Sequence, residues 1–408
     1  MRTSIPIALT LVTLVTSCVR SGPGRSTDAG ETGPPGSAGS HAGTGETPEL
    51  LWTYRGLGRG YGAPLISGEG IFINAEEDGQ SYTVCLEHDG TFRWKAPNGK
   101  EFLGFDFSAS YPGTRSAPAI RGQYVYAASG MGHLSCFDAR NGDLSWKTDL
   151  VEDFQGKPGD FGYSETPAVD EDRVYCFAAG PVHNLVALDR FSGDLAWSVP
   201  LMRDSFAYST PLLLDLPDRD LLVGSSRNYI YAVDRKDGKL LSSYRLEDIT
   251  YGWEHCNSVS YREGYLYFVT CEEHGQGTIK LRLSGDGETL TEIWRNPEVK
   301  NVFEGFVVKD GWLYTTMENK KLLCLDTENG RIRHSLRAEF GNMVPHGNLL
   351  IVYGHNGILQ IFQLKDGIPE PAAQWRIRTG SGPHFSFPVI SDGILYLRRG
   401  DALMAWAL

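Results

Sequence analysis

Arg115, Glu165, Tyr208, His255, Asn257, Glu304 and His384 are the side chains of this 408-residue chain best suited to chemistry at one shared place, with Ser164 and Ser209 beside two of them. Guanidinium, carboxylate, phenol, imidazole and amide together supply donors and acceptors, which is what a specific small-molecule or peptide site needs. Their mixed signs argue against a simple anion or metal pocket. The plainer reading of the same residues is that loops around a wet channel are polar. Other constellations carry less. Glu254-His255-Cys256 has zinc-ligand types, yet the nearest further candidate, His274, lies on another segment without a known ligand spacing. No Ser-His-Asp motif or phosphate loop stands out, and Gly58-Arg59-Gly60-Tyr61-Gly62 lacks the strand–helix context of a dinucleotide fingerprint. No catalytic residue and no metal ligand is assigned.

What places those seven residues together is a repeat. In its clearest copy Ser116-Ala117-Pro118-Ala119-Ile120 leads through Gly122 to Tyr124-Val125-Tyr126-Ala127-Ala128, then Leu134-Ser135-Cys136-Phe137-Asp138, then Asn141-Gly142-Asp143-Leu144-Ser145-Trp146. The next runs Thr166-Pro167-Ala168-Val169, Arg173-Val174-Tyr175, Leu185-Val186-Ala187-Leu188-Asp189 and Ser192-Gly193-Asp194-Leu195-Ala196-Trp197. β-Branched and aromatic runs punctuated by Gly, Asp-Gly and Asn-Gly read as four short strands per copy. The candidate residues fall just before the first strand of successive copies, so their loops should face one mouth of a central channel. Several lead-in segments are also aromatic and glycine-rich: Phe102 to Phe107, Asp160 to Tyr163 and Gly380 to Phe387.

The tryptophan place of the repeat recurs at 52, 94, 146, 197, 242, 294, 334 and 375, with Ser242 and His334 standing in for tryptophan. Residues 49–408 are 360 residues, and 360 in eight copies is 45 each, a normal four-stranded unit. The last copy stops before its fourth strand, whereas the body opens with an orphan strand at Glu49-Leu50-Leu51-Trp52-Thr53-Tyr54. Pairing the two closes a ring and removes a free edge. The expected fold is all-β, an eight-bladed β-propeller of four-stranded antiparallel blades. Most tryptophans and tyrosines are then core.

Leu185 to Trp197 and Asp138 to Trp146 resemble the repeat of the pyrroloquinoline-quinone-type propellers. That family includes quinoprotein alcohol dehydrogenases and the propeller lipoprotein of the outer-membrane β-barrel assembly machine. The resemblance covers about 360 residues, and the repeat is structural, so it implies the fold more strongly than an activity. It implies tryptophans docking blade on blade, and any ligand at one end of the channel. The dehydrogenases typically carry adjacent cysteines, a calcium site and a catalytic aspartate. This chain has no Cys-Cys dipeptide and no Cys-x-x-Cys-His for a c-type haem. The expectation is a non-catalytic binding or scaffold propeller without cofactor, similar to the assembly lipoprotein. The alternatives are a periplasmic oxidoreductase using pyrroloquinoline quinone with calcium, and a carbohydrate-binding or sensor propeller.

Residues 1–18 read as an export signal: Arg2, an apolar run from Ile5 to Val15 too short for the ~20 residues of a spanning helix, then small residues and Cys18. Val15-Thr16-Ser17-Cys18 resembles the bacterial lipoprotein signal, which implies lipidation of Cys18. Val19 in place of an aspartate favours, by that resemblance, the outer membrane facing the periplasm. Residues 19–48, rich in Gly, Ser, Thr and Pro, read as a flexible tether, and 49–408 as the propeller. The net charge of −12, from 38 basic and 50 acidic residues, argues against sequence-independent binding to nucleic acid. The expected partner is an envelope protein or an extracellular polymer, the membrane is met through the lipid alone, and the body is expected to be monomeric. Of the other cysteines, Cys85, Cys136 and Cys324 share the third-strand position of Ala187 and Ala232 and read as core thiols, and Cys176 also reads as core. A turn at Glu263-Gly264 sets Arg262 against Tyr265 and therefore Cys256 against Cys271, which an oxidising compartment could bridge.

Overall fold

Runs such as Tyr124–Ala128 and His133–Asp138 hold β-branched, aromatic and small residues on both faces and end in turn residues, so they pair as hairpins buried from either side. The computed structural model describes residues 47–205, 207–246, 255–271, 276–301 and 305–408. Its strands form eight sheets of four, antiparallel throughout. Seven blades run in chain order, their first strands being Leu65–Ser67, Ala119–Arg121, Ala168–Val169, Leu212–Asp215, Ser260–Arg262, Phe306–Lys309 and Gly341–His346. In the eighth, Val389–Ser391, Ile394–Arg399 and Ala402–Ala407 are completed by the N-terminal strand Glu49–Arg55, as expected. Its register runs from Glu49 against Ala407 to Arg55 against Ala402.

First strands of adjacent blades approach one another, for example Ala119–Arg121 with Ala168–Val169 and Phe306–Lys309 with Gly341–His346, so they line the axis. A four-stranded meander then divides its connections between two ends. Lead-in segments and second-to-third turns gather at one face, here called the mouth face. First-to-second and third-to-fourth turns gather at the far face.

The blades are fastened by tryptophans of the fourth strands. The indole N–H of Trp146 donates to the Arg190 carbonyl of the next blade at 2.9 Å, and its ring lies on Gly193. Trp52, Trp94, Trp197 and Trp294 repeat the bond to His88, Ala139, Arg235 and Thr327 at 2.9–3.0 Å. Each of these strands carries a bulge beside the tryptophan, which re-aims the indole toward the neighbour. Where Ser242 replaces the indole, its hydroxyl donates to the Gly287 carbonyl at 2.7 Å and keeps the inter-blade bond. His334 keeps the place in blade 6, but against Trp312. Blade 7 departs from the sequence reading. The residue opposite the third strand at the bulge is Ala373, facing Ile361, and not Trp375. Trp375 lies two residues on and packs edge-on against Trp406 of blade 8. Spacing to the next tryptophan misled because the hairpin before it is longer.

Ring closure has its own fastening. Arg398 of blade 8 is wholly buried and donates to carbonyls of Asn74 (2.5 Å) and Gly62 (3.5 Å) in and before blade 1, and to Gly400 in its own blade (2.9 Å). Burial pulls its guanidinium down to about 9 from its usual value. Cys85, Cys136 and Cys324 are buried free thiols facing Trp94, Trp146 and His334, and burial pushes each up to about 12. Cys176 is a buried free thiol as well.

Candidate functional site

The lead-in segments meet at the mouth face through a chain of aromatic rings. Tyr61 before blade 1 touches Phe385 before blade 8 (5.7 Å between centroids), and Phe385 touches Tyr111 before blade 2 (6.0 Å). Tyr111 contacts Phe107 (5.6 Å), Phe107 meets Phe161 before blade 3 edge-on (6.4 Å), and Phe161 meets Tyr208 before blade 4 (6.1 Å). On its other side Phe385 lies 5.0 Å from His355, which lies 5.2 Å from Phe340. The result is a partial aromatic collar that borders the channel from blade 7 through blades 8, 1, 2 and 3 to blade 4. All three aromatic lead-in segments singled out in the sequence join it or abut it.

Arg115 sits inside the collar, 5% exposed, its guanidinium 5.2 Å from the Phe161 ring and 5.7 Å from Tyr61. It donates to the carbonyls of Gly113 (3.1 Å) and Tyr111 (2.5 Å), and its Nε has no acceptor among the described residues. Tyr208 is buried, and its hydroxyl accepts the Phe161 N–H at 3.1 Å. Arg115, Tyr208 and the rings between them are therefore one unit.

The remaining candidates stand apart from it to different degrees. Glu165 keeps a partly exposed edge while one carboxylate oxygen accepts the Phe177 N–H at 2.6 Å, and burial pushes its carboxyl up to about 8. His255 is buried, touches Phe268, and meets the Tyr208 lead-in through its carbonyl, which accepts the Tyr208 N–H at 2.8 Å. Asn257 is buried and engaged on every side: its amide nitrogen donates to Val269 and to Asn301, and its oxygen accepts from Gly305. That is the pattern of a latch between blades 5 and 6. His384, next to Phe385, turns away to the Tyr353 hydroxyl at 2.5 Å, and burial draws its imidazole down to about 4. Glu304 and Cys18 lie outside the described residues.

Two features escaped sequence reading. The first is a relay between lead-in segments. Ala117 N–H donates to the Thr166 hydroxyl (3.1 Å), Thr166 N–H to Thr210 (3.2 Å), and Thr210 N–H to Ser258 (3.0 Å). The Thr-Pro pairs at 166–167 and 210–211 were its visible signal. The second is Glu101, buried at the mouth, with one oxygen accepting from Phe102 and Gly130 (2.9 and 2.7 Å) and burial raising it to about 7. A lone glutamate outside the repeat gave no periodic cue.

The register Arg262 against Tyr265 and Ser260 against Tyr267 is as read; Cys256 and Cys271, which the same register would set opposite each other if it continued past the ladder, are both buried, and no disulfide joins them in this structure. The protein isolated from an oxidising compartment is expected to carry this pair as a disulfide. Alkylation of the denatured protein should then add two fewer groups without reductant than with it. Equal labelling would refute the bridge.

The comparisons with known proteins agree on one relationship. The model of the family described as outer membrane protein assembly factor BamB matches residues 83–270 and 284–407. The BamB of Yersinia pestis is 24% identical over 358 residues, 84% of this chain and 85% of that one. That of Salmonella typhimurium is 26% identical over 132 residues, covering 32% and 29% of the two chains. Among solved structures, BamB from Moraxella catarrhalis superposes with a TM-score of 0.63 at 15% identity, over 89% of this chain and 98% of that one. Sqt1 of Saccharomyces cerevisiae does so at 0.59 and 12% identity, over 89% and 100%, a likeness of fold alone.

Proposed function

The chain belongs to the family described as outer membrane protein assembly factor BamB, and from that premise we propose that it is a binding propeller of the bacterial envelope, a scaffold in outer-membrane protein assembly. It is held at the outer membrane, facing the periplasm, through lipidated Cys18 and the 19–48 tether, and its partner is an envelope protein met by exposed loops. The observation that carries this reading is the family match running through the blades to the last strand. Mouth chemistry supports binding over redox catalysis. Glu165, raised to about 8, stays largely protonated near neutrality and is a poor calcium ligand in that form, and Glu101, raised to about 7, is protonated about half the time.

The test is recovery of the full chain, with its own leader, from detergent-solubilised envelopes after mild crosslinking. The expected result is co-purification with the β-barrel of the outer-membrane assembly machinery, lost together with membrane association in Cys18→Ala. Recovery of the protein alone, or dye reduction that depends on added pyrroloquinoline quinone and calcium, would overturn the proposal.

A further inference from the structure

The far face, opposite the mouth, carries a cleft of its own. A cleft of about 570 Å3 opens between the turns of blades 5, 6 and 7, walled by Tyr265, Tyr267, Val308 and Pro345. In its wall is Lys280, only 3% exposed. This lysine breaks a column. In blades 1, 2, 3, 4, 6 and 8 the third-strand residue facing the tryptophan place is small (Cys85, Cys136, Ala187, Ala232, Cys324 and Ala405), and in blade 7 it is the apolar Ile361; in blade 5 it is Lys280 facing Trp294.

Its ammonium donates to the Thr327 carbonyl at 2.9 Å and lies 4.1 Å over the Tyr265 ring and 5.5 Å from that of Tyr267. Among the described residues it has no carboxylate partner, so two of its three N–H donors and its whole charge rest on ring faces and the cleft. A buried cation without a counter-ion is costly, and sister blades show that an alanine or cysteine fills the position. Arg262 on the rim is likewise without an acidic partner among the described residues, donating only to the Tyr261 carbonyl (2.7 Å). Of the other charges around the cleft, Lys309 and Asp310 pair with each other at 2.5 Å, while Glu263 and Glu328 are exposed on the rim. That rim repels a multiply charged anion and leaves room for a single negative charge reaching Lys280 with an apolar body against Tyr265, Val308 and Pro345.

We propose that this cleft binds a peptide carboxylate, its charge on Lys280 and its adjoining side chains on the tyrosine and proline walls. The carboxylate has two sources, a chain end or an acidic side chain, and the test separates them. The full chain is titrated calorimetrically with three peptides: acetyl-Gly-Ser-Val-Leu with a free carboxylate, its C-terminal amide, and acetyl-Gly-Asp-Val-Leu amide. One carboxylate peptide is expected to bind at least about tenfold more tightly than the neutral amide, as loss of a charge-assisted hydrogen bond demands. Preference for the first names a chain end, and preference for the third an acidic side chain. Lys280→Ala, which installs the residue of blades 3 and 4, should melt no lower than the parent and should abolish the discrimination between acid and amide. Lys280→Arg should retain it. Equal binding of acid and amide, binding of none of the three, or undiminished acid preference in Lys280→Ala would each overturn the proposal.

Discussion

Trp146→Ala is expected to destabilise the protein by about 3–5 kcal/mol, read as a shift in denaturant midpoint at unchanged slope. The indole is 8% exposed, sits 6.0 Å from the Tyr126 ring, and carries the N–H bond to the Arg190 carbonyl of the next blade. Truncation removes the apolar area, opens a cavity between two sheets that cannot collapse onto each other, and costs the Arg190 carbonyl one of its donors, leaving it the Tyr126 hydroxyl at 3.1 Å. The receiving surface is as exacting. Gly193 has φ +79°, and a Cβ there would lie 2.7 Å from Cε3 of Trp146. Gly193→Ala therefore meets both a backbone that disfavours side chains and a ring with nowhere to go. Because the two residues form one contact, the double variant should be less destabilised than the sum of the single ones. Strict additivity would mean that the indole contributes to its own blade only.

The second expectation concerns pH. Glu165→Gln should leave stability near pH 5 almost unchanged and raise it at pH 8, by at most about 4 kcal/mol at ~1.4 kcal/mol per pH unit. The exposed edge of the residue lowers that ceiling. The sign follows from burial: the folded carboxyl holds its proton up to about 8, against an ordinary value of 4.5. The unfolded chain therefore binds fewer protons across that window, and the stabilisation present below about 4.5 is lost as pH rises through the folded value. Glu101, raised to about 7, adds a loss of the same sign. Glutamine preserves the acceptor for the Phe177 N–H. Thermal melts of both proteins from pH 5 to 8 read the difference directly. Parallel curves would show that Glu165 is hydrated by the channel and titrates normally.

The propeller was legible because its signals repeat. Asp-Gly and Asn-Gly turns and the tryptophan place recur once per blade, and the orphan strand at Glu49 had one partner left. Reading failed where a blade departs from its sisters. In blade 7 a longer hairpin moved Trp375 off the docking position that Ala373 holds. Lys280 was hidden because irregular sequence around it obscured its column, though alignment with Cys85 and Cys136 would have exposed a lysine among small residues. At the mouth, the sequence marks which segments are aromatic, but contact between Phe107, Phe161 and Phe385 depends on how far each loop leans inward. Asn257 looked like a ligand-binding amide; only its three bonds to Val269, Asn301 and Gly305 reveal a latch.

Closure by Glu49–Arg55 against Ala402–Ala407 sets an order of events for folding. Each hairpin within a blade forms from neighbours in sequence, whereas the last sheet must bring together strands from opposite ends of the body. Such a pairing carries high contact order and forms slowly. A chain delivered N-terminus first would hold its first strand unpaired until its final residues arrived, with Leu50 and Leu51 on an open edge. During that interval the nascent protein would depend on holding factors that shield a strand edge. Its folding rate should fall when the final strand is shortened at Ala407, the one residue of that strand outside the core, which pairs with Glu49.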